Sequence, residues 1–249
     1  KLKREGVKVY SFGTGEPDFD TPQVIIDAAN EAMKKGITRY TDVKGLIDLR
    51  IAVSEKYKKE FNLDYDPESE IIVSSGAKHS LFTALQALIS EGDEVIIPVP
   101  YWVSYSEMVK VAGGKPVFVY PKKENNFVLT KEELEAVITP KSKVIMLNNP
   151  SNPTGVVYTK EQLKEVADVC VKEGIYILSD EIYEMLIYND KEFTPVASLS
   201  DEIKDITITI NGASKSYAMT GWRIGFALAN KDIVKAMNTI QGQCVSHPS

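Results

Sequence analysis

The sequence predicts an α/β fold in which a largely parallel β-sheet is covered by helices on both faces. Three observations predict it. Short β-branched runs alternate with longer amphipathic segments along the whole chain, as strand–crossover–strand units require. The chain of 249 residues is 43% hydrophobic and 26% charged, enough to bury a core and too apolar for disorder. Neither an internal repeat nor a low-complexity linker interrupts the alternation. At ~150 residues per domain the length allows one or two domains.

The elements follow in order. Residues 1–20 read as an arm or strap, because Gly13-Thr14-Gly15-Glu16-Pro17-Asp18 is turn chemistry. A helix is expected from about residue 22 to 35, with Pro22 in its first turn. Residues 21–249 are expected to form one large domain. Its first apolar run is 71–73, followed by a helix over 80–88 with Leu81, Leu85 and Leu88 at helical spacing. Runs at 94–97 and 116–120 come next. Thr130 before Lys131-Glu132-Glu133 marks a capped helix start. The run at 144–147 precedes a second such start at Thr159, which opens a helix over 160–171 with Leu163, Val166, Ala167 and Cys170 on one stripe. Runs at 175–178 and 206–210 continue the pattern. The last run, 222–229, returns after a short segment, a spacing open to an antiparallel neighbour.

Charge and composition exclude several classes. Twenty-nine basic and 35 acidic side chains give a net charge of −6 with no basic run, which argues against nucleic acid as a partner. The longest uncharged stretch, 144–159, is about half Asn, Ser, Thr, Gly or Pro and is no membrane span. Two cysteines, Cys170 and Cys244, make neither a disulfide framework nor a zinc site, so a reducing, cytoplasmic setting is expected. The chain starts at Lys1 and ends without a helix stop or charged tail, so a piece of a longer protein is expected.

In an open parallel sheet, ligands bind beyond the carboxyl ends of the strands. Four expected strand ends carry polar residues. They are Ser74-Ser75-Gly76-Ala77-Lys78 at a helix start, Asn148-Asn149-Pro150-Ser151-Asn152-Pro153-Thr154-Gly155, Ser179-Asp180-Glu181-Ile182-Tyr183, and Asn211-Gly212-Ala213-Ser214-Lys215-Ser216-Tyr217. Each has an ordinary structural reading as a helix start, a tight turn, a cap or a surface lysine; Trp102 and Tyr183 suit a core equally well. Together they place an anion-binding helix start, a fixed amide, a carboxylate and a lysine at one crevice. Other chemistries fail. There is no Gly-x-Gly-x-x-Gly, P-loop or His-Glu-x-x-His, and His79 and His247 lack metal-ligand partners. Ser216 stands where a nucleophile elbow needs glycine. Lys215, Asp180, the helix start and Arg223 are the set that pyridoxal 5'-phosphate requires. A lysine forms the Schiff base, a carboxylate keeps the ring nitrogen protonated, and amides with a guanidinium take the phosphate.

Ser214-Lys215-Ser216-Tyr217-Ala218-Met219-Thr220-Gly221-Trp222-Arg223-Ile224-Gly225 resembles the cofactor-lysine signature of class I aminotransferases, which are fold-type-I pyridoxal-phosphate enzymes. Asn152-Pro153-Thr154-Gly155, Ser179-Asp180-Glu181-Ile182-Tyr183, Gly13-Thr14-Gly15-Glu16-Pro17-Asp18-Phe19 and Pro100-Tyr101-Trp102-Val103-Ser104-Tyr105 are similar to the same family, in the same order. The bacterial aspartate aminotransferase subgroup is the most similar. The resemblance implies a three-layer α/β/α large domain and a homodimer with shared active sites. It implies that Lys215 holds the cofactor, Asp180 pairs with the ring nitrogen, and Tyr183 and Asn152 bond the phenolic oxygen. It further implies that Trp102 stacks on the ring, that Gly76, Ala77 and Arg223 bind the phosphate, and that Tyr40 reaches the phosphate of the neighbouring subunit. Gly15, Trp102, Asn152 and Lys78 are implied to meet the substrate, Lys78 at its distal carboxylate.

Two departures accompany the resemblance. The family's α-carboxylate arginine lies in a C-terminal small domain that this sequence lacks. The arginine that reads dicarboxylates in animal-type enzymes would fall near Gly242, which leaves Lys78 for that task. The implied reaction exchanges amino groups between an amino acid, aspartate, and a 2-oxo acid, 2-oxoglutarate, in ping-pong order. The alternatives are a β-lyase or cyclopropane-forming synthase on the same fold, or a non-catalytic cofactor-binding module of a regulator.

Overall fold

The computed structural model describes residues 2–10, 13 and 15–248; Lys1, Thr14 of the expected glycine-rich turn, and Ser249 fall outside them. The seven expected runs form one seven-stranded sheet. Its strands are β1 (Ile71–Ser75), β2 (Glu94–Pro98), β3 (Lys115–Val119), β4 (Ser142–Asn148), β5 (Tyr176–Asp180), β6 (Thr207–Gly212) and β7 (Ile224–Leu228). Their spatial order is β1-β7-β6-β5-β4-β2-β3. The four pairs among β2 to β6 are parallel. β7 runs antiparallel to both β1 and β6, because the short segment joining it to β6 is too brief for a crossover. This strand starts two residues later than the apolar run. Trp222 lies in a 3-10 turn and Arg223 takes a left-handed conformation at φ 58°.

The helices are α1 (Gln23–Lys34), α2 (Ile47–Phe61), α3 (Ala77–Leu88), α4 (Ser104–Val111), α5 (Lys131–Glu135), α6 (Lys160–Glu173), α7 (Asp201–Ile206), α8 (Ala213–Ser216) and α9 (Lys231–Cys244). Thr130 and Thr159 form the two expected capping boxes, each hydroxyl accepting from the backbone N–H three residues on while that residue's side chain accepts in return.

Side-chain alternation along the strands sorts the core into layers. Val95, Ile97, Val144, Met146, Ile208 and Ile210 pack against Leu81 and Leu85 of α3, Tyr105 and Val109 of α4, and Val234 and Met237 of α9. Ile96, Ile145, Leu147 and Ile177 pack on the other face against Leu134 of α5 and Leu163, Val166 and Cys170 of α6. The sheet is therefore covered on both faces, in three layers. At the β1 end, Val53 and Tyr57 of α2 close a further cluster with Ile71, Val73, Phe226 and Leu228. Each fully buried aliphatic side chain contributes ~1.5–3 kcal/mol, so the strands that carry the site are rigidly held.

The N-terminal segment differs. α1 buries no residue, and Phe19 (82%) and Tyr40 (91%) are largely exposed. Both cysteines are free thiols, Cys170 buried and Cys244 exposed. Among the described residues, no helix is long and apolar enough to cross a membrane.

Candidate active site

The carboxyl ends of β4, β5 and β6 share one edge of the sheet. Because β7 is antiparallel, its amino end joins them, with Gly225 opposite Gly212 and Ile224 opposite Ser75. Asn148, Asp180, Gly212, the start of α3 and Arg223 are thereby gathered by the sheet's topology.

Asp180 closes β5 and is 5% exposed. Its Oδ2 accepts from the Tyr105 hydroxyl at 2.6 Å and its Oδ1 from the Ile182 N–H at 3.3 Å. Burial raises its pKa to about 6, against the pull of those two hydrogen bonds. Tyr105 extends from α4, three residues after Trp102, and the two rings meet edge to face at 5.6 Å. Trp102 in turn lies beneath the Lys78 ammonium, 4.7 Å from the ring centroid, a cation–π contact.

The loop after β4 brings the fixed amide. Asn148 Nδ2 donates to the Asp180 carbonyl at 2.9 Å, and Asn148 Oδ1 accepts from the Asn152 N–H at 2.6 Å. The Asn149–Pro150 and Asn152–Pro153 peptides are both cis. Asn152 Nδ2 donates to the Tyr183 hydroxyl at 3.3 Å. Burial and the nearby Asp180 charge raise the Tyr183 pKa, while the Asn152 hydrogen bond lowers it. The Lys215 Nζ lies 5.7 Å from the Tyr183 ring centroid and donates to the Gly15 carbonyl. Burial lowers the Lys215 pKa, and the Glu16 charge opposes that shift. A part-buried amine of this kind loses its proton more readily than a surface lysine.

The helix start lies at the other side of the edge. Gly76 caps α3 with φ 83°, and a Cβ there would overlap the Arg223 guanidinium. A Cβ on Gly225 would overlap the backbone of Gly76 and Ala77. Two glycines thus let a guanidinium and a strand close directly on the first turn of a helix, where free N–H groups and the dipole favour an anion. Arg223 Nη1 is steadied by the Thr220 carbonyl at 2.9 Å.

Contacts therefore run from Gly15 through Lys215, Tyr183, Asn152 and Asp180 to Tyr105, Trp102 and Lys78, with Gly76, Ala77 and Arg223 alongside. Tyr40 is not brought to this edge; its ring meets His247 at 5.6 Å. Tyr105 stands in the 100–105 motif, but no role for it follows from the motif alone; the structure places it in the first turn of α4 with its hydroxyl on Asp180.

The family model described as aminotransferase class I and II matches residues 7–249. The chain is 51% identical, over all of its 249 residues, to an aspartate aminotransferase of Bacillus subtilis (strain 168), covering 63% of that protein. It is 47% identical over 247 residues to a probable aspartate/prephenate aminotransferase of Aquifex aeolicus (strain VF5), covering 99% of this chain and 62% of that one. Among solved structures, aspartate aminotransferase from Thermus thermophilus with maleate is similar with a TM-score of 0.95 and 44% identity, covering 100% of this chain and 64% of that chain. The chain spans under two thirds of the length of these relatives.

Proposed function

We infer, from the premise that this chain belongs to the class I and II aminotransferases, that it carries the cofactor-binding part of a pyridoxal-phosphate-dependent aminotransferase. The proposed reaction moves an amino group from aspartate to 2-oxoglutarate in two half-reactions of ping-pong order. The observation that carries this reading is one sheet edge bearing a buried carboxylate, an amine of lowered pKa, and a guanidinium against a helix N-terminus. Those residues fit the cofactor: the cradle at Gly76 and Gly225 has no room for a side chain and is lined by anion donors.

The Ala77 amide with Arg223 would hold the phosphate, the Gly76 N–H being donated already to the Ser74 carbonyl at 2.7 Å; Asp180 would hold the ring nitrogen, Tyr183 and Asn152 the phenolic oxygen, and Trp102 one ring face. When bound, pyridoxal phosphate supplies an electron sink for charge that develops at the substrate's α-carbon. Asp180 is ionised above about pH 6, and the Tyr105 hydroxyl orients its Oδ2. Lys215 would hold the cofactor through Nζ, and the same Nζ as a free amine would take the proton from the substrate's α-carbon and pass it to the cofactor. Its lowered pKa favours the neutral amine that this task needs. The Gly15 carbonyl, Asn152 and Lys78 line the substrate side. A cation held at 4.7 Å over the Trp102 ring suits the distal carboxylate of a dicarboxylic substrate.

The reading extends to a homodimer in the cytoplasm. The exposed Tyr40 is free to reach a neighbouring subunit's phosphate, and two free thiols suit a reducing compartment. A second reading, with prephenate as amino acceptor, is favoured by the aspartate/prephenate relatives. The deciding experiment gives the full-length protein, of which this chain is the cofactor-binding part, aspartate and follows the cofactor absorbance. Its bleaching, and recovery on adding 2-oxoglutarate with release of glutamate, is expected. An unchanged spectrum with every amino donor would refute the assignment, and recovery with prephenate would support the second reading.

A further inference from the structure

Behind Asp180 lies a second polar group that the proposed chemistry leaves unused. Asp180 turns toward Tyr105, while Ser179 and Glu181 turn together to the other face, where the Ser179 hydroxyl donates to Glu181 Oε1 at 2.8 Å. The Val196 N–H donates to the same oxygen at 3.1 Å. Glu181 is fully buried, and its Oε2 has no partner among the described residues. The buried hydroxyls of Tyr65 and Thr209 lie near one another, and among the described residues neither meets a partner at full hydrogen-bond geometry.

The charges on this side do not balance. Glu184 pairs with Lys56 at 2.9 Å, and Lys56 is shared with Glu60 at 2.7 Å. Of the other ionisable groups around it, Asp180, Tyr57 and Tyr65 are not cationic, and the Lys204 ammonium is placed over the Tyr65 ring, 4.5 Å from its centroid, and has no hydrogen bond or ion pair to Glu181. An ionised Glu181 would thus be an uncompensated buried charge whose second oxygen lacks a donor, a costly arrangement. A protonated Glu181 removes the charge and turns Oε2 from an orphan acceptor into a donor in a region that holds the Tyr65 and Thr209 hydroxyls.

We propose that Glu181 is a positioning residue that acts as a neutral carboxylic acid, tying the strand end that bears Asp180 to the backbone at Val196 without setting a second negative charge beside it. The electrostatics agree. Burial pushes the Glu181 carboxyl up to about 8; the Ser179 and Val196 hydrogen bonds oppose this, and the Glu184 and Asp180 charges add to it. The consequence for Asp180 rests on the functional reading above; the proton on Glu181 does not.

The test uses the full chain, wild type and Glu181→Gln, with two readouts. At pH 7 the infrared spectrum of the wild type is expected to show the carbonyl band of a buried carboxylic acid, missing in E181Q. The second readout is unfolding as a function of pH. A carboxyl raised in the folded state gives stability that is complete below its unfolded pKa and is lost as pH rises to the folded one. Between pH 6 and 8, Glu181 should raise the wild-type unfolding constant by about tenfold per pH unit. E181Q should lack that slope, while Glu181→Ala should be weakened at every pH. Absence of the band in the wild type, or parallel pH profiles for wild type and E181Q, would overturn the inference. If E181Q does not fold, Glu181→Ala takes its place as the variant that must lack the band, and a band retained there overturns the inference. A chain that shows the band but no turnover would support this inference while refuting the proposed activity.

Discussion

The sheet edge and the N-terminal arm both reach Lys215, but they are held in opposite ways. Asp180 and Asn148 sit at the ends of buried strands, and their partners are fixed by register. The arm has no buried helix, and it meets the lysine segment through polar contacts between residues 15–21 and 215–222. Gly15 accepts from Lys215, Glu16 from Thr220, and Thr21 from the Trp222 indole while donating to the Ala218 carbonyl. Each such bond contributes only ~0.5–1.5 kcal/mol. The difference teaches that the groups proposed to react are strand-borne in that they stand at strand ends or on the short turns adjoining them, as Lys215 does in α8 directly after β6 and Arg223 directly before β7, while the segment covering them is held by contacts weak enough to adjust.

Substitutions that break the strand-borne side should be severe and local to chemistry. Lys215→Ala removes the amine proposed both to attach the cofactor and to carry the proton. Turnover should fall by more than ~10⁴-fold with the far-ultraviolet circular dichroism unchanged. Wild-type-like turnover would remove Lys215 from its proposed role. Asp180→Asn comes next, with an expected loss of ~10³-fold in kcat. It should also stabilise the cofactor-free protein. The Asp180 pKa is raised to about 6, so its ionised form is disfavoured in the fold. The gain should be complete above pH 6 and vanish below pH ~4, where both side chains are neutral. A melting temperature below wild type at pH 8 would contradict the burial argument. Arg223→Lys keeps the charge and loses the planar fork. Cofactor affinity should fall about 10- to 100-fold, measured by equilibrium dialysis, with a smaller change in kcat.

The contrast also decides what the sequence reveals. Strands such as 144–147 are legible because they are continuous apolar runs, and Thr130 and Thr159 announce their helices by local chemistry. Helices α2, α4 and α9 carry no clean apolar stripe in the sequence because their buried faces include polar residues, Arg50, Ser106 and Gln241. Arg50 of α2 is 3% exposed and donates to the carbonyls of Gly45 and Pro67; Gln241 of α9 is fully buried and donates to those of Val43 and Val73. Within the site, Lys215, Asp180, Asn152 and Arg223 follow strand ends and were readable. The polar group around Glu181 was not, because its members come from α2, the loop after it, β6 and the β5 end, and no short motif holds residues so far apart.

The mildest change sharpens the comparison most. Thr21 sits at the junction of arm and lysine segment, donating to the Ala218 carbonyl at 2.7 Å and accepting from Trp222 Nε1 at 3.0 Å. Thr21→Val keeps the shape and removes both bonds, a loss of ~1–3 kcal/mol confined to the arm. No strand-borne contact changes, so kcat and global melting should stay within about twofold and about 2 °C of wild type. Amide exchange over residues 15–21 should quicken by about tenfold or more, and the KM for aspartate should rise severalfold, because the Gly15 carbonyl and Glu16 lose their anchor beside Lys215. If kcat fell as far as KM rose, the arm would be part of the chemical apparatus. The division between a rigid strand-borne centre and an adjustable cover would then fail.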